Sequence, residues 1–150
     1  MMNDHLFIFS PTSWLGEGRI QLNMVDEELG FYTRWNISPK DERGAIECMQ
    51  EIQVKGLPDI MHNQFSFYDF TPTSFAIEME NQSMGKVIGT GIINKQVIAW
   101  EFRIKDIGFE GFEFYEKQGD GSYLMRAEYS TSDQFRTLIK GRVWQPQKSS

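Results

Sequence analysis

Few side chains in this 150-residue chain are chemically reactive, and their spacing argues mostly against chemistry. The single cysteine, Cys48, shares the apolar side of its segment with Ile46, Ile52 and Val54. A lone thiol in that position acts as a small buried hydrophobe, and no nearby base marks it as a nucleophile. Two histidines, His5 and His62, with one cysteine cannot close a zinc site, so neither a metal nor another cofactor is expected. The carboxylate pairs Glu47/Glu51 and Glu78/Glu80 fall on a charged face and read as solvated surface. Asp69 is different, because it shares strand parity with Phe65 and Phe67. Buried, it would have a raised pKa and could serve as a general acid; otherwise it lies at a rim or ends the strand before Pro72. Gly89-Thr90-Gly91 lacks the following helix that a phosphate-binding loop needs, and reads as a bend in a sheet.

Charge and composition narrow the partners. The net charge is −6 and the sequence pI about 4.9, with basic residues dispersed among acidic ones along the chain. Nucleic acid and an anionic membrane surface are therefore not expected partners. One cysteine excludes an intramolecular disulfide. The apolar run Leu6 to Phe9 is too short for a signal core, and no stretch approaches the roughly 20 apolar residues needed to span a bilayer. These features suit a soluble, cytoplasmic protein. A homodimer stays open.

The elements that must position these residues are strands. Period-2 alternation marks ten segments: 19–25, 31–37, 45–54, 62–71, 75–80, 86–94, 96–104, 109–117, 122–129 and 134–144. Asn94-Lys95 and Gly119-Asp120-Gly121 read as tight turns. Gly56 to Met61 is the least strand-like internal stretch and is expected to hold a short helical turn. One domain is expected, with residues 1–12 as a lead-in and 145–150 as a polar tail. The alternation puts most charges on one face and an aromatic set, Trp35, Trp100, Phe102, Phe114, Tyr123 and Tyr129, on the other. Opposing charges are best left in water, so the aromatic face should turn inward. A solid sandwich and a barrel both satisfy this pattern. Consecutive short hairpins favour an all-β, up-and-down antiparallel meander closing into a ten-stranded barrel, which encloses more space than eight strands do.

Trp14-Leu15-Gly16-Glu17-Gly18 before the first segment resembles the opening of calycin-like barrels, the lipocalin, fatty-acid-binding and nitrobindin-like group. That resemblance implies an early Trp lying across the barrel's end and packed on a basic residue of the last strand. Trp14 and Arg142 are the matching pair, with Arg136 the second choice for the cation. The departures matter equally. Nitrobindin-like haem binding uses a late histidine, and neither His5 nor His62 lies in the last strands. Fatty-acid-binding proteins use an Arg-x-Tyr pair near the C-terminus, whereas Arg126-Ala127-Glu128-Tyr129 has another spacing and sets Arg and Tyr on opposite faces.

The expected function is non-enzymatic: a carrier or sensor for a small, mostly apolar ligand in the lumen. The inward aromatics would supply contact area, and Tyr123, Tyr129, Thr137 and Gln50 polar contacts. One alternative is an isomerase, cyclase or chromophore-attaching activity in the same barrel, with Asp69 or a lumen tyrosine handling protons. The other is a barrel filled by its own aromatics that acts through protein partners.

Overall fold

The computed structural model describes residues 5–146; the outermost parts of the expected lead-in and tail, 1–4 and 147–150, lie outside them. Ten strands follow one another: β1 (Ser13–Leu22), β2 (Glu28–Ile37), β3 (Ile46–Val54), β4 (Ile60–Tyr68), β5 (Ser74–Asn81), β6 (Gly85–Ile93), β7 (Val97–Ile104), β8 (Phe109–Lys117), β9 (Tyr123–Ser130) and β10 (Arg136–Trp144). Each pairs antiparallel with its sequence neighbours, and β10 returns to β1, so the sheet closes into a barrel without a free edge. The one helical piece among the described residues is a 3₁₀ turn, Lys105–Ile107. No helix there is long and apolar enough to cross a membrane.

The period-2 signal misplaced two boundaries for identifiable reasons. β1 begins at Ser13, not Arg19, because Gly16 and Gly18 occupy inward positions and erase the alternation. The stretch expected to be a helical turn instead contains a tight turn at Gly56, whose φ is +89°, and the first two residues of β4. Gly91 does what a bend glycine would do, but for a packing reason: a Cβ there would lie 2.1 Å from the Phe75 ring.

One strand has inverted parity. The inward side of β8 carries Phe109, Gly111, Glu113 and Tyr115, and the outward side Phe112 and Phe114. Phe114, expected to line the lumen, is thus a surface residue half-covered by the Arg126 guanidinium, 4.9 Å from its ring. Alternation fixes only that the two sets separate, and here the polar member, Glu113, takes the inside.

The lead-in is structural. His5 to Ile8 folds into the barrel end formed by the start of β1 and the end of β2, and Phe7 and Ile8 are fully buried. Phe7 packs against Trp14, Trp35, Tyr115 and Tyr123, with ring centroids 4.7–5.6 Å away. Two hydrogen bonds hold the segment: His5 Nδ1 lies 2.6 Å from the Tyr123 hydroxyl, and His5 Nε2 lies 2.6 Å from the Asn94 carbonyl oxygen. Beyond Phe7 the cluster continues through Phe65, Phe67, Phe75 and Trp100. This half of the lumen is solid. Phe7→Ala should cost about 3–5 kcal/mol, the usual range for an aromatic lost from a core, and lower the melting temperature in calorimetry by roughly 10 °C.

Candidate functional site

The barrel is closely packed at one end and less covered at the other. Trp35, Trp100 and Tyr123 are buried in the solid half, within the ring cluster that Phe7 joins, whereas Phe102, also buried, stands opposite Gly111 at the level of Tyr129. Toward the opposite end the inward side chains are only partly covered. These are Ile20 and Leu22 of β1, Ile52 of β3, Ile104 of β7, Phe109 of β8, and Thr137 and Ile139 of β10. They line this less covered end of the barrel, its cup, although Ile104, Phe109 and Ile139 still pack against the core.

At the boundary between plug and cup sits Glu113. Its carboxylate accepts hydrogen bonds from Tyr115, 2.7 Å away on the plug side, and Tyr129, 2.5 Å away on the cup side. The Tyr129 ring lies directly over Gly111, where a Cβ would come within 2.3 Å of it. Trp100 stands opposite Glu113 in the register, and its indole N–H has no partner within hydrogen-bond geometry. Burial pushes the Glu113 carboxyl above the usual 4.5; the Tyr129 and Tyr115 hydroxyls, with the nearby Trp100 indole, pull back against that rise. Both tyrosines are pushed well above 10, by burial first and by the adjacent carboxyl second, so their hydroxyls stay donors. A protonated Glu113 would then have its own O–H to offer a third group.

The facing wall carries a row of amides. Gln50 of β3 donates to Thr33 Oγ1 of β2 at 3.2 Å, and Thr33 donates to the Glu51 carbonyl at 2.9 Å. Asn63 of β4 donates to Gln50 Oε1 at 3.0 Å, and Asn81 of β5 donates to Asn63 Oδ1 at 3.0 Å. Each amide can donate twice and accept twice. The row therefore satisfies itself from strand to strand and retains further donors and acceptors.

Other expected residues lie elsewhere. Asp69 is exposed, with a φ of +52°, in the turn after β4; the inward position its parity suggested ends at Phe67, so it has no lumen to act in. Trp14 is buried against Phe7 and Tyr123, whereas Arg142 points outward, 5.2 Å over the Trp144 ring and 3.8 Å from Asp120. Phe7 thus takes the place expected for a cation at Trp14. Arg136, the other choice, pairs with Glu128 at 2.9 Å. Cys48 is buried, and desolvation pushes its thiol up to about 12. Glu113 was the residue missed. Its neighbours Phe112 and Phe114 outvoted it in the apolar tally, and the two glycine and tyrosine positions flanking it, Gly111 and Tyr115, were the available clue.

Comparison with known proteins adds the fold. The structure is similar to that of the S-type phycobiliprotein lyase CPES from Guillardia theta, with a TM-score of 0.69 over 93% of this chain and 90% of the other at 7% sequence identity. The fold is calycin-like. No family model matches the sequence, and no curated protein matches it either.

Glu113 sets a pH dependence. A carboxyl raised on folding keeps its full stabilising contribution below 4.5 and loses it as the pH rises through the folded value. Urea unfolding across a pH series should show stability declining with pH in the native protein. Glu113→Gln should flatten that decline.

Proposed function

We propose that the barrel binds a small, mostly apolar molecule in its cup, with one polar group of that molecule set against Glu113 and Tyr129. The observation that carries this reading is a buried carboxyl, held by two hydroxyls, at the floor of a partly open apolar cup. A purely structural core gains little from placing an acid there, since burying it costs free energy that a leucine would not. The amide row on the facing wall supports a ligand with a second polar edge, because amides fix orientation where aliphatic side chains supply only contact. On this reading the protein is a carrier or sensor, and the aromatics of the plug support the site without touching the ligand.

The likeness to a lyase favours a pigment among the possible ligands, and a chromophore-attaching activity is the second reading. Under it, Glu113 rather than Asp69 handles the proton. Cys48, buried and protonated, takes no part in either.

Melting curves with palmitate, retinol, haemin and biliverdin should show a rise for at least one of them. Glu113→Gln and Tyr129→Phe should each weaken that ligand about tenfold, the effect of roughly 1.4 kcal/mol. Ile139→Trp, which fills the cup, should abolish binding while the protein stays folded. If no ligand shifts the curve, the carrier reading fails. If Glu113→Gln leaves a pigment bound but ends its transfer to an acceptor, the attaching activity is favoured.

A further inference from the structure

Basic residues that are scattered along the chain are gathered by the strand register. On the outside of the barrel Arg19 of β1 stands directly opposite Lys140 of β10, and Lys140 stands directly opposite Arg126 of β9. Three cations therefore occupy one cross-strand row, with directly opposed Cβ atoms about 4.5–5.5 Å apart. Like charges in that relation are destabilising. None of the four ion pairs among the described residues involves Arg19 or Lys140.

Beside this row runs a groove of about 360 Å³ whose walls include Arg19, Arg142, Lys55 and Tyr32. Its floor is the backbone of the β1–β10 seam at Gly18 and Gly141, whose side-chain positions turn inward, together with Gly30, which faces outward opposite Arg19. Glu17 is the one acid in the lining; the Arg142 opposite it in the register makes its ion pair with Asp120 instead. Lys55 is held at the wall by the Tyr32 ring, 5.2 Å away.

We propose that this groove is an anion site, separate from the lumen, that takes a compact molecule carrying two or more clustered oxyanions. Arg19, Arg142 and Lys55 line the groove and Lys140 stands directly beside Arg19, so a molecule seated there relieves the repulsion at that end of the row. The backbone floor, with Gly30 beside Arg19, lets its body sit below the tips of the long side chains. The overall charge of −6 makes this local concentration of cations more telling, because the average surface disfavours such a ligand.

Tripolyphosphate is the first probe and citrate the second, by calorimetric titration and melting curves on the whole protein, with sodium chloride at matched ionic strength as the reference. Saturable binding of either, beyond the salt effect, is expected; the tighter of the two assigns phosphate or carboxylate. The double variant Arg19→Gln, Lys140→Gln should bind at least tenfold more weakly, yet melt no lower than the native protein when no anion is present. Arg103→Gln, on another part of the surface, should bind normally. Sodium chloride matching the tripolyphosphate shift, or undiminished binding by the double variant, would overturn the proposal. So would binding of a hexaglutamate peptide while both small anions fail, which would point to an acidic protein surface.

Discussion

Ten strands closed into a ring enclose more space than their own inward side chains fill, and the rest of the structure follows from how that space is divided. One half is occupied from outside the sheet. Phe7 enters through the end and meets Trp14, Trp35, Tyr115 and Tyr123, so the lead-in acts as part of the core although it belongs to no strand. His5 ties that segment to β9 and to the Asn94 carbonyl. With that end filled, the buried acid Glu113 and the amides Gln50, Asn63 and Asn81 fall at or beyond its edge.

Those polar groups follow one rule. Glu113 has two hydroxyl donors, and the amides of Gln50, Asn63 and Asn81 hydrogen-bond to one another in sequence. Networks satisfied in this way are tolerated in a low-dielectric interior, whereas a single unpaired member would be costly. The indole N–H groups of Trp14, Trp35 and Trp100 are the exceptions, buried without a partner. Their large apolar surfaces are held in the plug even so, which indicates how far aromatic packing dominates that half.

The barrel itself was legible because most of its strands follow the simplest reading of alternation, apolar in and polar out. Phe75, Ile77 and Met79 on β5, and Ile98, Trp100 and Phe102 on β7, are the clearest cases. β8 was not legible, since Phe112, Phe114 and Glu113 give the same alternation whichever way the strand is turned, and hydrophobicity alone chose the wrong turn. Register decided it: Trp100 and Ala127 stand beside Glu113 and pair inward with inward. The plug was hidden for a different reason, because a short apolar run before the first strand carries no period. The cation row was hidden because cross-strand adjacency joins residues far apart in sequence.

The seam between β1 and β10 has a further consequence for how the chain is made. Leu15 pairs with Trp144, and His5 reaches Tyr123, so the two ends of the sequence must meet before the ring exists. During synthesis β1 has β2 on one side and nothing on the other until almost the whole chain has emerged. For that interval the nascent sheet is open, with an exposed edge and an unplugged aromatic interior. The β1–β10 pairing is the most long-range in the sheet, and pairings of that kind are the slow ones to form.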